Sequence, residues 1–126
     1  MPQIILEYST NNAAEPDYAV LFGEIHQLLH TVAGIRLENC KSRARLAEDF
    51  FIGDGNASNA FVHLQIRIIE GRSSEIKKAI GEKCLALLKR AYAKSVEALE
   101  LQITVEVDDL IRDFYFKYPE GSLTPQ

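Results

Sequence analysis

The sequence predicts an α+β fold of two layers, in which a four-stranded sheet carries two helices on one face. Two segments repeat their apolar residues with a helical period, and segments of alternating apolar and polar residues flank them. The resulting order, strand-helix-strand, occurs twice, over residues 2–52 and again over residues 60–118. We expect residues 1–126 to form a single domain built from these two β-α-β units.

The first unit begins with the apolar run Gln3–Tyr8, which has the length of a strand. Glu15 and Asp17, on either side of Pro16, lie near the start of a helix that Gly34 ends. One face of this helix is apolar and consists of Tyr18, Leu21, Phe22, Ile25, Leu28, Leu29 and Val32. A less regular stretch, residues 41–52, is interpreted as a strand that bends before the glycine-rich turn at residues 53–56.

The second unit repeats this plan with clearer signals. Residues 60–69 and 101–107 alternate between apolar and polar side chains, as half-buried strands do. Between them, Ser73 and Ser74 offer N-cap chemistry, and Glu75 suits the first turn of a helix. The apolar face of that helix consists of Ile76, Ile80, Cys84, Leu87, Leu88 and Ala91.

The strands of each unit should be parallel, because a helix crosses between them. Two helices on one face leave the other face of the sheet uncovered. That face is only partly polar, since Phe61 and Ile69 alternate with His63, Gln65 and Arg67. We therefore expect the chain to pack against copies of itself.

Composition excludes several classes of protein. A net charge of −4 over 126 residues argues against nucleic-acid binding, and no apolar stretch is long enough to span a membrane. The two cysteines, Cys40 and Cys84, suit a reduced protein better than a disulfide scaffold, so the expected location is the cytoplasm.

The dipeptide Met1-Pro2 stands directly before the first strand. If Met1 is removed, the nitrogen of Pro2 becomes a secondary amine, and a free α-amino group titrates at about 7.7–8.0. A modest downward shift makes it a usable base at neutral pH. Pro2 is therefore the candidate catalytic residue, on condition that Met1 is absent.

Two groups of basic residues stand out in this acidic chain. Arg72 follows Gly71 at the junction of a strand and a helix, where free N–H groups also favour anions. Lys41, Arg43 and Arg45 alternate in a strand and should share one face. A solvated turn arginine and a charged edge strand are the simpler explanations.

These residues resemble the tautomerase superfamily: a proline opening a strand, two β-α-β units and a Gly-Arg-Ser turn before the second helix. Within it, the chain resembles the 5-carboxymethyl-2-hydroxymuconate isomerases. The resemblance lies in Ser42-Arg43, Asp54-Gly55, Ala60-Phe61-Val62-His63, Gly71-Arg72-Ser73 and Phe116-Lys117, in this order.

The resemblance implies a homotrimer with sites near the subunit boundaries and Pro2 as the base, acting on a small anionic dienol or keto acid. It implies that Arg43 and Arg72 hold carboxylates. Lys41 stands where arginine is expected, which keeps the charge but not the planar fork. Phe116 is either an apolar wall of the site or a buried aromatic residue. The implied reaction requires neither a metal nor an organic cofactor.

The histidines and the aromatic residues near the C-terminus have other interpretations. His26 and His30 share a helix face but lack a third metal ligand nearby, and His63 is expected to be a hydrogen-bonded histidine within the sheet. The aromatic segment at residues 114–118 could bind a partner or pack in an oligomer. Two further functions keep the same fold: a proline-dependent tautomerase of other specificity, and a non-catalytic oligomeric binding protein.

Overall fold

The computed structural model describes residues 1–119 and 121, so residues 120 and 122–126 of the predicted single domain lie outside the described part. The strands are β1 (Gln3–Ser9), β2 (Lys41–Ala47), β3 (Asn59–Ile69) and β4 (Glu100–Leu110). The helices are α1 (Tyr18–Ala33), α2 (Ser74–Ala91) and the short α3 (Ala93–Ala98). Single 3-10 turns occupy Leu37–Asn39 and Arg112–Phe114.

The four strands form one mixed sheet in the order β2-β1-β3-β4. β1 and β2 are parallel, as are β3 and β4, while the central pair β1 and β3 is antiparallel. Each parallel pair is joined through a long helix, as the two predicted β-α-β units require. The predicted fold class is confirmed.

The helix ends lie where the sequence predicts them. The Asp17 carboxylate accepts a hydrogen bond from the Val20 N–H at the start of α1, and the Ser73 hydroxyl accepts one from the Ile76 N–H at the start of α2, each at 3.2 Å. Gly34 ends α1 in the left-handed conformation, with φ of 69°, and its N–H donates to the His30 carbonyl.

The core lies between one face of the sheet and the two long helices. Alternate residues of β1 and β3 point into it and are fully or almost fully buried, among them Ile4, Leu6, Leu64 and Ile66. The helices contribute the apolar faces predicted from their periods: Leu21, Ile25 and Leu29 from α1, and Ile80, Cys84, Leu87 and Leu88 from α2.

The opposite face of the sheet carries neither of the two long helices, and it is contacted by Tyr115 at Gln3 and by Phe50 at Phe61. The strand register places Lys41, Arg43 and Arg45 of β2 opposite Gln3, Ile5 and Glu7 on this open face. Three details differ from the prediction: β2 ends at Ala47 and not at residue 52, β4 continues beyond residue 107 to Leu110, and α3 was not predicted. No helix of the described residues is long and apolar enough to cross a membrane.

Candidate active site

A cavity of about 180 Å³ opens at the end of the sheet where β1 begins and β3 ends. Its lining combines apolar walls with three cationic side chains and the start of the chain. The lining residues are Met1, Pro2, Ile35, Arg36, Asn39, Ile68, Ile69, Arg72, Lys117 and Gly121.

The sheet register explains why Pro2 and Arg72 meet. Because β1 and β3 are antiparallel, Gln3 lies opposite Arg67, and the end of β3 is next to the residue before β1. Pro2 is buried there, and its carbonyl accepts a hydrogen bond of 3.2 Å from the Lys41 N–H at the start of β2. Arg72 follows β3 in the turn at Gly71, whose φ of 121° suits glycine.

The Arg72 guanidinium is half-buried and incompletely bonded. One terminal nitrogen donates to the Ala33 carbonyl at 3.4 Å, at the negative end of α1. Its Nε atom is buried and has no hydrogen-bond partner among the described residues. Burial lowers the pKa of Arg72, although an arginine remains charged at neutral pH. A buried, unsatisfied donor on a cation is suited to receive an anionic ligand.

The other two cations of the cavity differ in their partners. Arg36 is paired with Glu38 at 2.8 Å, and both side chains are exposed. Neither Arg72 nor Lys117 forms an ion pair within the described part of the chain. The cavity therefore carries positive charge that the described carboxylates do not neutralise.

The amino terminus lies in this cationic environment. The pKa of the Met1 amine is lowered from 8.0 to about 5, first by burial and then by the charge of Lys41; Lys117 and Arg72 add to the shift, and Cys40 opposes it. Pro2, the next residue, is buried beside this amine. An amine here is neutral at physiological pH and can accept a proton.

A second depression, of about 420 Å³, adjoins the cavity and shares Met1, Asn39 and Lys117 with it. Lys41 and Phe116 line this depression together with Gln3 and Tyr115. Phe116 is 87% exposed, so the interpretation as a buried aromatic residue was wrong.

Arg43 lies apart from both spaces. Its side chain is on the open face of the sheet, where the guanidinium donates a hydrogen bond to Oε1 of Gln3. The structure thus brings Pro2 and Arg72 together in one cavity and puts Lys41 and Phe116 in the depression beside it. Arg43 is separated from that depression by one residue, Gln3. The roles of all five stay predictions.

Sequence reasoning missed several residues of this region: Arg36, Asn39, Tyr115 and the isoleucine walls Ile35, Ile68 and Ile69. A signal for Arg36 existed, because the chain leaves α1 at Gly34 toward the start of β2, beside Pro2. Tyr115 had no such signal. It reaches the site only because the chain turns back after β4.

Each of the three histidines is hydrogen-bonded within the chain. His26 hydrogen-bonds to the Ser42 hydroxyl at 2.7 Å, and His30 to the Ile35 carbonyl at 2.9 Å. Both ring nitrogens of His63 are hydrogen-bonded, to Thr104 and Glu106. Within the described residues, no group of three or more His, Cys, Asp or Glu side chains could hold a metal ion.

Comparison with known proteins points to one family. The family profile described as 5-carboxymethyl-2-hydroxymuconate isomerase matches residues 2–120. A 5-carboxymethyl-2-hydroxymuconate Delta-isomerase of Escherichia coli is 30% identical over 117 residues, which cover 93% of each chain.

Solved structures of similar fold agree with this. A crystal structure of a 5-carboxymethyl-2-hydroxymuconate isomerase from Deinococcus radiodurans R1 has a TM-score of 0.77 at 29% identity, over 92% of this chain and 87% of that one. A 5-carboxymethyl-2-hydroxymuconate delta-isomerase structure has a TM-score of 0.79, over 98% and 90% of the two chains. At 19% identity, the second match shows the fold alone.

Proposed function

Because the chain belongs to the 5-carboxymethyl-2-hydroxymuconate isomerase family, it is an isomerase, and we propose that it moves a proton within a carboxylated dienol, using Pro2 as the base. The observation that carries this proposal is the shared cavity of Pro2 and Arg72, with its unneutralised positive charge. The names of the relatives supply the substrate class, a hydroxymuconate derivative.

The proposed reaction begins when the enol hydroxyl, or a carbon acid beside a carbonyl, gives a proton to the Pro2 nitrogen. The substrate becomes a dienolate whose negative charge the cationic side chains stabilise. The ammonium of Pro2 then returns the proton to a distant carbon of the conjugated system. The double bonds shift, the base is regenerated, and no metal or organic cofactor takes part.

This mechanism requires that Met1 be removed. While Met1 is present, the Pro2 nitrogen belongs to an amide and has no basic lone pair. After removal, it is a secondary amine whose ring fixes φ, so the base is preorganised. Burial and the neighbouring cations Lys41, Lys117 and Arg72 favour its neutral form, as they do for the Met1 amine.

The substrate carboxylates are proposed to bind at the cations around the cavity. Arg72 has the unsatisfied donor and lines the cavity together with Pro2. Lys41, in the adjoining depression, is the proposed second contact, with Phe116 as an apolar wall. Arg43 was the other predicted carboxylate ligand. In the single chain its guanidinium points to Gln3, so a direct role requires another subunit or a rearranged side chain.

A homotrimer is the proposed assembly. The uncovered sheet face, with Ile5 half-buried among polar neighbours, is the proposed contact surface. A fused 4-OT of the same fold, 17% identical, is described as a symmetric trimer. With its two free cysteines, the chain suits a reducing compartment, and the cytoplasm is the proposed location.

The test uses chain that lacks Met1, verified by intact mass. It is expected to ketonise a 2-hydroxymuconate-type dienol, and Pro2→Ala should lose most of that activity because the alanine amine is neither secondary nor fixed by a ring. Pro16→Ala, at a proline before α1, is the matched control and should retain activity. Equal activity of Pro2→Ala and wild type, or equal activity with Met1 retained, would contradict the proline-base mechanism.

A further inference from the structure

Three side chains form a hydrogen-bonded path from the open sheet face to the amino terminus. Arg43 donates to Oε1 of Gln3, and Nε2 of Gln3 donates to the Tyr115 hydroxyl oxygen at 2.8 Å. The Tyr115 O–H in turn donates to the Met1 carbonyl at 3.4 Å. The mechanism proposed above uses neither Gln3 nor Tyr115.

Both ends of this path fix the direction of donation. A guanidinium has donors only, so Gln3 must turn its amide oxygen to Arg43 and its amide N–H to Tyr115. The Tyr115 oxygen therefore accepts from Gln3, which leaves its O–H to donate onward. The Met1 carbonyl, which can only accept, matches this orientation at the far end.

We propose that the Tyr115 hydroxyl, oriented by Gln3 and Arg43, donates a hydrogen bond to the Pro2 nitrogen of the chain that has lost Met1, and so holds this base in its neutral form. The inference rests on the proposed function for its catalytic meaning. The Met1 carbonyl carbon is bonded to the Pro2 nitrogen, so removal of Met1 takes away the present acceptor. The amine lone pair is then the acceptor beside the hydroxyl.

Tyr115 acts in addition to the charged groups that shift the pKa of the terminal amine of Met1. These are Lys41 at the start of β2, Arg72 after β3 and Lys117 in the C-terminal segment, with Cys40 opposing them. Glu38 lines the adjoining depression. Salt screens the effect of charges, especially exposed ones, but leaves a direct hydrogen bond largely intact. The two contributions can therefore be separated by ionic strength.

Tyr115 is thus a positioning residue, and its first readout is the titration of the Pro2 amine itself. In ¹⁵N-labelled chain lacking Met1, Tyr115→Phe should raise the pKa of this amine by about 0.5 to 1 unit, the scale of one lost hydrogen bond to the neutral form. The rise should persist in high salt. The acidic limb of the kcat/KM profile should move to higher pH by the same amount.

Gln3→Met is the second variant, because it removes the N–H that fixes the tyrosine without adding charge. A smaller rise in the same direction is expected. Tyr118→Phe is the matched control: Tyr118 is in the same segment, is 94% exposed, and should leave the titration unchanged.

An amine pKa that is the same in wild type, Tyr115→Phe and Gln3→Met would overturn the inference. So would a rise that disappears in high salt. Because the titration needs no turnover, it is independent of the proposed reaction. Failure of that reaction would instead appear as full activity in Pro2→Ala.

Discussion

Arg72 is the side chain at which burial, charge and an unsatisfied donor coincide. Truncation to alanine should lower kcat/KM on an anionic dienol by about 10- to 100-fold, the scale of a lost charge-assisted hydrogen bond. Arg72→Lys should recover only part of this loss, because lysine keeps the charge without the planar fork.

The matched control for this series is Arg90→Ala, on the exposed side of α2. Its kcat/KM should equal that of wild type, and all three variants should unfold at similar urea concentrations. Wild-type kinetics in Arg72→Ala would remove this arginine from the binding site.

The lowered pKa of the terminal amine also affects stability. In chain that retains Met1, the amine has a pKa of about 5 when folded and 8.0 when unfolded. Between these values the unfolded state binds more protons, so the free energy of unfolding should increase as pH rises from 5 to 8. The measurement is the difference in urea stability between free and N-acetylated chain, since acetylation removes the titrating group. A difference that stays constant over this range would contradict the buried amine.

At the scale of elements, a glycine within α1 and the glycine that ends it should respond to alanine with stability changes of opposite sign. Gly23 is exposed within the helix, and a Cβ added there meets nothing within 4 Å. Gly23→Ala should therefore stabilise the fold by up to about 1 kcal/mol. Gly34, at φ of 69°, requires the left-handed conformation, and Gly34→Ala should destabilise by about 1 kcal/mol.

Urea unfolding of both variants tests this pair, with each glycine serving as the other's control. Gly34 also sets the path of the chain from α1 to Ile35 and Arg36 in the cavity. Gly34→Ala should thus affect kcat/KM as well, whereas Gly23→Ala should not. Equal stability changes in the two variants would show that the end of α1 does not depend on the glycine conformation.

The elements also show how far local sequence information reaches. Caps and apolar periods locate α1 and α2, because Asp17, Ser73 and Gly34 act within one turn of the residues they bond. The Gly-Arg-Ser turn and the Met1-Pro2 dipeptide are also local patterns, and they indicated Arg72 and Pro2, which line the cavity. The end of β2 depends on its pairing with β1, and the position of Tyr115 depends on its contact with Gln3. Both contacts join residues far apart in the sequence, so local patterns do not predict them.

At the scale of the whole molecule, the sheet order puts the two outer strands at opposite ends of the open face. β2 presents Lys41, Arg43 and Arg45 there, while β4 presents Glu106 and Asp108. A surface that is basic along one edge and acidic along the other favours contact between unlike edges of neighbouring copies. Such a head-to-tail contact closes into a ring when its rotation allows, which is the geometry of the proposed trimer.

Ile5 is the residue through which this assembly is tested. It lies on the open face of the central strand β1, between Arg43 and Gln65, and is half-buried in the single chain. If copies cover this face, Ile5→Glu puts an unpaired charge into the contact and should shift the protein toward monomer, because burial of such a charge is costly. Light scattering after size exclusion should give about three times 14.2 kDa for wild type and about 14.2 kDa for the variant.

The matched control is Val20→Glu on the exposed side of α1, which should leave the mass unchanged. Circular dichroism should show that both variants keep their helices, and a wild-type mass for Ile5→Glu would rule out this face as the contact between subunits.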